Sequence, residues 1–141
     1  MAIADAQHLL AVNFIPPALL PKLGGLQRRH QKLIEESPST SISQETRIEM
    51  CEAARRLILS ANYVNAATVE FLVEPETGSH YFIECNPRVQ VEHTVTEEVT
   101  GIDIVEAQFH LAAGSSLADL GLATQDDVPR PRGFAVQARV V

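Results

Sequence analysis

The stretch AATVEFLVEPETGSHYFIECN, residues 66–86, decides the reading of this chain. Its first half alternates, with Ala67, Val69, Phe71 and Val73 on one side and Thr68, Glu70 and Leu72 on the other, which is the period-two pattern of a strand. Pro75 and Gly78 supply a turn, and the run from His80 to Asn86 resumes the extended pattern, so the segment is expected to form a β-hairpin. A five-residue loop at 75–79 sets Glu70 directly across from Glu84, with Asn86 two residues farther on the same face. Like charges facing each other across a strand pair are destabilising. The pairing fits a hard divalent cation such as Mg²⁺ held between the carboxylates, with the Asn86 amide completing an oxygen set. It fits equally a different register, or a solvated face on which the two acids do no chemistry.

Directly after the hairpin, Asn86-Pro87-Arg88-Val89-Gln90-Val91-Glu92-His93 packs two amides, a guanidinium, a carboxylate and an imidazole into eight residues. An arginine offers a planar fork to bicarbonate, carboxylate or phosphate, and a neighbouring glutamate can take a proton if desolvation raises its pKa. The plainer alternative is a polar loop with one internal salt bridge. His93 lacks the HExxH spacing of a zinc site and is expected to be a structural hydrogen-bonder.

Working outward, Ile48, Cys51, Ala54, Leu57, Ile58 and Ala61 recur at helical spacing and place a helix at about residues 44–61. Ser41 with Gln44 would make its capping box, and Ser43 is a competing N-cap. Asp103, with Glu106 three positions on, caps a second helix through Ile104, Val105, Gln108, Leu111 and Ala112, closed by Gly114. Residues 115–133 read mostly as loop and residues 134–141 as a strand. Upstream, the basic cluster Gln27-Arg28-Arg29-His30-Gln31-Lys32 leads into a short strand and loop. It is either a solvated basic face or an anion site; as a single strand it would put Arg28, His30 and Lys32 on one face. Cys51 and Cys85 fit buried core positions.

Composition excludes several classes of function. The chain has 141 residues, 18 acidic against 11 basic side chains and a formal charge of −7, so a general nucleic-acid binder is not expected. Two cysteines without a CxxC pair provide neither a disulfide framework nor a zinc knuckle, and a reducing compartment is the default. Pro16, Pro17 and Pro21 interrupt the one apolar run near the N-terminus, so no membrane association is expected. Residues 1–25 also lack the pattern of a targeting signal and receive no element assignment.

Taken together, Gln27 through Lys32, Thr68-Val69-Glu70-Phe71, residues 82–93 with Thr96-Glu97, and Gly101-Ile102-Asp103 closely resemble the biotin carboxylase component of biotin-dependent carboxylases, of pyruvate carboxylase or acyl-CoA carboxylase type. The resemblance implies an α+β fold: the C-terminal part of an ATP-grasp domain, incomplete, with an antiparallel sheet and packed helices. It divides the chain into a divergent segment at 1–25, the C-terminal half of the ATP-grasp domain at 26–128, and the start of the C-terminal region at 129–141. It implies ATP and Mg²⁺ (or Mn²⁺) as cofactors, with Glu70, Glu84 and Asn86 as metal ligands, Gln27 and His30 as nucleotide contacts alongside Glu70 and Glu84, and biotin on a carrier domain as substrate.

By the same resemblance, Glu92 is the base that takes the bicarbonate proton and Arg88 stabilises the biotin enolate. Lys32, Arg88, Gln90 and Val91 hold bicarbonate, and Arg139 lies near biotin and phosphate. The implied partners are the biotin carboxyl carrier and carboxyltransferase domains or subunits, with a second copy of the chain as a further candidate. The implied compartment is the cytoplasm, or the mitochondrion for a eukaryotic carboxylase. In this family a long N-terminal domain and the other half of the ATP-grasp module come first. Here Gly24-Gly25 is no phosphate loop, so the resemblance implies an interior slice that is inactive by itself. The alternatives are an ATP-grasp ligase of carbamoyl-phosphate synthetase type, and a non-catalytic truncated protein that docks on a carboxylase.

Overall fold

A computed structural model describes residues 2–3, 8–15, 27–28, 31–32, 34–74 and 76–140, with backbone only for those before residue 34. In chain order the elements are β1 (Ala2–Ile3), β2 (His8–Ile15), β3 (Gln27–Arg28), β4 (Gln31–Lys32), β5 (Ile34–Ser37), α1 (Gln44–Ser60), β6 (Asn65–Val73), β7 (His80–Asn86), α2 (His93–Thr100), α3 (Ile104–Ala112) and β8 (Ala135–Ala138). The main sheet runs β1-β2-β6-β7. The β6–β7 hairpin is antiparallel as expected, while β2 pairs parallel to β6 from His8↔Asn65 to Ile15↔Leu72. That parallel partner falls in the segment to which the sequence assigned no element.

Strand β6 is buried on both sides because a helix covers each face. On one face Met50, Ala54 and Ile58 of α1 meet Ala67, Val69, Phe71 and Val73. On the other, Ile104, Ala107 and Leu111 of α3 enclose Ala66 together with Leu117 and Leu122. Fully burying the Met, Ile, Val, Leu and Phe side chains among these contributes roughly 1.5–3 kcal/mol each and the alanines less, and these two clusters hold the hairpin that carries the acids. The inward stripe of α1 is Thr46, Met50, Ala54 and Ile58, not the expected set; Ile48 is 59% exposed. Spacing alone could not settle the rotation of the helix, which follows from its packing on β6. Ser43, not Ser41, is the N-cap, its hydroxyl accepting from the Thr46 amide at 3.1 Å. Cys51 and Cys85 sit half-buried beside this core, not within it.

Two local readings change. Helix α2 was not foreseen; Val95 and Val99 are buried four residues apart and Gly101 closes it at φ +73°. The 27–32 cluster is not one strand: β3 pairs antiparallel with β4, Gln27↔Lys32 and Arg28↔Gln31, which removes the single-strand alternation. Residues 115–133 are mostly loop as expected, with short 3-10 turns at Ala118–Leu120 and Gln125–Asp127. Asp103 caps α3 as expected, accepting from the Glu106 amide at 2.7 Å. The strand near the C-terminus, β8, pairs with β5. Helix α2 packs on this pair, with Thr94 Oγ1 donating to Gln137 Oε1 at 2.5 Å. No helix among the described residues is long and apolar enough to cross a membrane.

Candidate cation and anion site

Strands β6 and β7 reach the expected Glu70–Glu84 register by two compensating departures. Pairing starts at Val73↔His80, so the connection is residues 74–79, one longer than expected. Its tip is tied by Gly78 N–H and Thr77 N–H donating to the Glu74 carbonyl at 2.9 and 3.3 Å. After Phe71↔Phe82 an irregularity leaves Ile83 as the extra residue of a β-bulge, and the pairs resume as Glu70↔Glu84, Val69↔Cys85 and Thr68↔Asn86. A bulge adds one residue to one strand and so cancels the longer loop. Phe71 braces the bend, meeting His80 and Phe82 edge-on with ring centroids at 5.8 and 6.4 Å.

The two acids therefore face each other in different surroundings. Glu70, on the central strand, is buried, whereas Glu84, on the outer strand of the described sheet, is exposed. Each is met by an amide: Gln90 Nε2 donates to Glu70 Oε1 at 3.1 Å, and Asn86 Nδ2 donates to Glu84 Oε1 at 2.8 Å. With its nitrogen committed to Glu84, Asn86 has its carbonyl oxygen for a cation. Two carboxylates and an amide oxygen on one strand pair are the hard-oxygen chemistry that Mg²⁺ takes while retaining water or phosphate at its other positions.

The loop between β7 and α2 carries the remaining candidates. Arg88 is exposed, its Nη1 donating to the Val89 carbonyl at 3.2 Å. Val91 is exposed, and Glu92 occupies the N-cap position of α2, its side chain making no capping hydrogen bond. His93 is a structural hydrogen-bonder, its Nδ1 lying 2.6 Å from the Gln90 carbonyl. Arg139 directly follows β8, the strand whose Gln137 contacts the first turn of α2. The structure thus brings Glu70, Glu84, Asn86 and Gln90 together as two bonded pairs, Glu70–Gln90 and Glu84–Asn86, set opposite each other by the strand register, with Arg88, Val91 and Glu92 on the adjoining loop. Gln27 and Lys32 occupy paired backbone positions of β3 and β4, and His30 lies outside the described residues.

Tyr63 is a contributor that sequence reasoning missed. Its hydroxyl lies 3.0 Å from the carbonyls of both Ala66 and Pro87 and shares its one proton between them, and burial, assisted by Cys85, pushes the phenol up. A lone tyrosine between a helix and a strand carries no pattern that would have revealed this.

Comparison with known proteins gives consistent relatives. Residues 24–120 match the family described as carbamoyl-phosphate synthase L chain, ATP binding domain. Pyruvate carboxylase of Aspergillus terreus is 53% identical over 115 residues, which are 82% of this chain and 9% of that protein. The biotin carboxylase domain of a single-chain bacterial carboxylase superposes with a TM-score of 0.73 at 54% identity, over 80% of this chain and 26% of the other. The biotin carboxylase domain of Hydrogenobacter thermophilus 2-oxoglutarate carboxylase, solved as a dimer with MgADP, ADP and bicarbonate, gives 0.72 at 40% identity, over 81% and 24%. The chain spans about a tenth of the length of the curated relatives it matches and about a quarter of these biotin carboxylase chains.

Proposed function

Because this chain belongs to the family of the carbamoyl-phosphate synthase L-chain ATP-binding domain, we propose that it carries the cation and bicarbonate side of a biotin carboxylase site of ATP-grasp type. The observation that carries the proposal is the direct opposition of Glu70 and Glu84, each bonded to an amide of the same patch. An otherwise unfavourable pair of like charges becomes favourable when a cation sits between them. A relative holding MgADP and bicarbonate supports it.

In this proposal Glu70, Glu84 and Asn86 hold Mg²⁺ or Mn²⁺, which when bound draws charge from the ATP phosphates. Gln27 and His30 contact the nucleotide. Lys32, Arg88, Gln90 and the Val91 backbone hold bicarbonate, and Glu92 takes its proton so that the oxyanion attacks the γ-phosphoryl group, whose bond to the bridging oxygen breaks, releasing ADP and giving carboxyphosphate. Carboxyphosphate then splits into CO₂ and phosphate, the phosphate takes the ureido N–H proton, Arg88 stabilises the resulting biotin enolate with Arg139 nearby, and the ureido nitrogen adds to CO₂. Biotin would arrive on a carrier domain, and a carboxyltransferase would take the product onward. A triphosphate needs several positioned positive groups besides the metal, so the chain is proposed to be inactive alone.

The test is ADP release with Mg²⁺, bicarbonate and free biotin. It would compare the purified chain with a biotin carboxylase in which residues 27–140 of this sequence replace the matching segment. Silence from the chain and biotin-stimulated turnover by the hybrid are expected; dependent turnover by the chain alone, or a folded hybrid that is inert, would overturn the proposal.

A further inference from the structure

Five consecutive carbonyls, those of residues 86–90, each accept a hydrogen bond from a protein donor. The Arg88 amide donates to Asn86 O at 2.7 Å, Tyr63 Oη to Pro87 O at 3.0 Å, Thr68 Oγ1 to Arg88 O at 3.4 Å, and Arg88 Nη1 to Val89 O at 3.2 Å. Gln90 O takes both the His93 amide at 3.1 Å and His93 Nδ1 at 2.6 Å. A carbonyl can only accept, so Nδ1 carries the proton. Surface loops ordinarily leave much of their backbone to water. Here the protein itself fixes the stretch that carries Arg88 and Gln90.

Two anchors come from residues with no part in the proposed chemistry, and each ties the loop to a different part of the core. The Tyr63 hydroxyl joins Ala66, at the start of β6, to Pro87, just past β7. His93 opens α2, with Nε2 3.8 Å from Glu97 Oε2, and Glu97 Oε1 in turn accepts from the Ile104 amide of α3 at 2.7 Å. We propose that Tyr63 and His93 are positioning residues that lock the backbone of residues 87–90 and so aim the side chains of Arg88 and Gln90. This deepens the bicarbonate role proposed for that loop and rests on it for its functional consequence.

Amide hydrogen exchange of the full 141-residue chain tests the anchoring without requiring activity. Tyr63→Phe and His93→Leu each remove one donor, whereas His93→Asn retains an N–H near the Nδ1 position. Exchange at the Arg88 and His93 amides, which donate to the Asn86 and Gln90 carbonyls, is expected to rise about fivefold in the first two variants, as loss of one hydrogen bond implies. Amides of α1 should not change, and His93→Asn should return to within about twofold of the parent. Unchanged loop exchange in Tyr63→Phe and His93→Leu would overturn the proposal. So would an equal rise in α1, failure of the asparagine to rescue, or a parent loop that exchanges as fast as an unfolded peptide. In the hybrid carboxylase, Tyr63→Phe should raise the bicarbonate KM several-fold and leave the ATP KM alone. Loosened exchange with both KM values unchanged would uphold the anchoring and refute the bicarbonate assignment.

Discussion

Replacing Glu84 with Gln should stabilise the cation-free chain and abolish its response to Mg²⁺. The residues directly opposed in the Glu70–Glu84 pair have Cβ atoms roughly 5 Å apart. Carboxylates held as close as the Cβ atoms they extend from would repel by about 3 kcal/mol in a medium of effective dielectric constant near 20, which is an upper bound. Glu84 is exposed, so water and salt screen most of this, leaving a net cost of roughly 0.5–1 kcal/mol. Glutamine retains an Oε1 acceptor for Asn86 Nδ2, so the 2.8 Å bond survives while the charge is lost. A cation binding only the folded parent at ten times its dissociation constant adds about 1.4 kcal/mol. The two proteins should therefore cross: the variant is more stable without Mg²⁺ and the parent at saturating Mg²⁺. Urea unfolding followed by circular dichroism, with NaCl replacing MgCl₂ at equal ionic strength, reads both arms. A variant no more stable than the parent without Mg²⁺, together with a parent that gains nothing from Mg²⁺ over NaCl, would refute the reasoning.

Two further outcomes test the surroundings of the site. Gly78→Ala should cost about 2 kcal/mol in urea unfolding, since alanine is strained at φ +74° and its Cβ would lie 2.8 Å from Thr46 Oγ1, part of the α1 cap; a loss under about 0.5 kcal/mol would contradict the turn geometry. Burial pushes the Cys85 thiol up from its usual 9.0, so its thiolate forms only at higher pH than that of a free cysteine. Alkylation of Cys85 by iodoacetamide should therefore keep accelerating past the pH at which a free thiol levels off, and a plateau at or below that pH would contradict the burial.

The hairpin was legible because its alternation and its Pro75–Gly78 turn are strong local signals, and the Glu70–Glu84 opposition came out right although the loop and the bulge each differ by one residue from the simplest count. A single sequence cannot show a bulge, because Ile83 fits either a paired or an extra position. The parallel β2–β6 pairing and the β5–β8 pair were not legible: each joins segments far apart in sequence, and neither partner carries a turn signal that would link them. Helix α2 was within reach, since Val95, Val99 and Gly101 form a short helical signature, but beside the dense polar run just before it residues 94–100 were left without an element. That His93 is a structural hydrogen-bonder was expected, but its partner and the role of Tyr63 depend on backbone carbonyls, whose positions no side-chain pattern encodes.

The most direct measurement of the central claim, that this segment supplies the bicarbonate-activating side of a carboxylase site, is ADP release by the hybrid biotin carboxylase carrying Glu92→Gln, with and without bicarbonate. Removing a general base costs typically 10²–10⁴-fold, so the variant should bind nucleotide normally and lose bicarbonate-dependent ATP cleavage by about that factor. Bicarbonate-dependent cleavage at the parent's rate would contradict the claim.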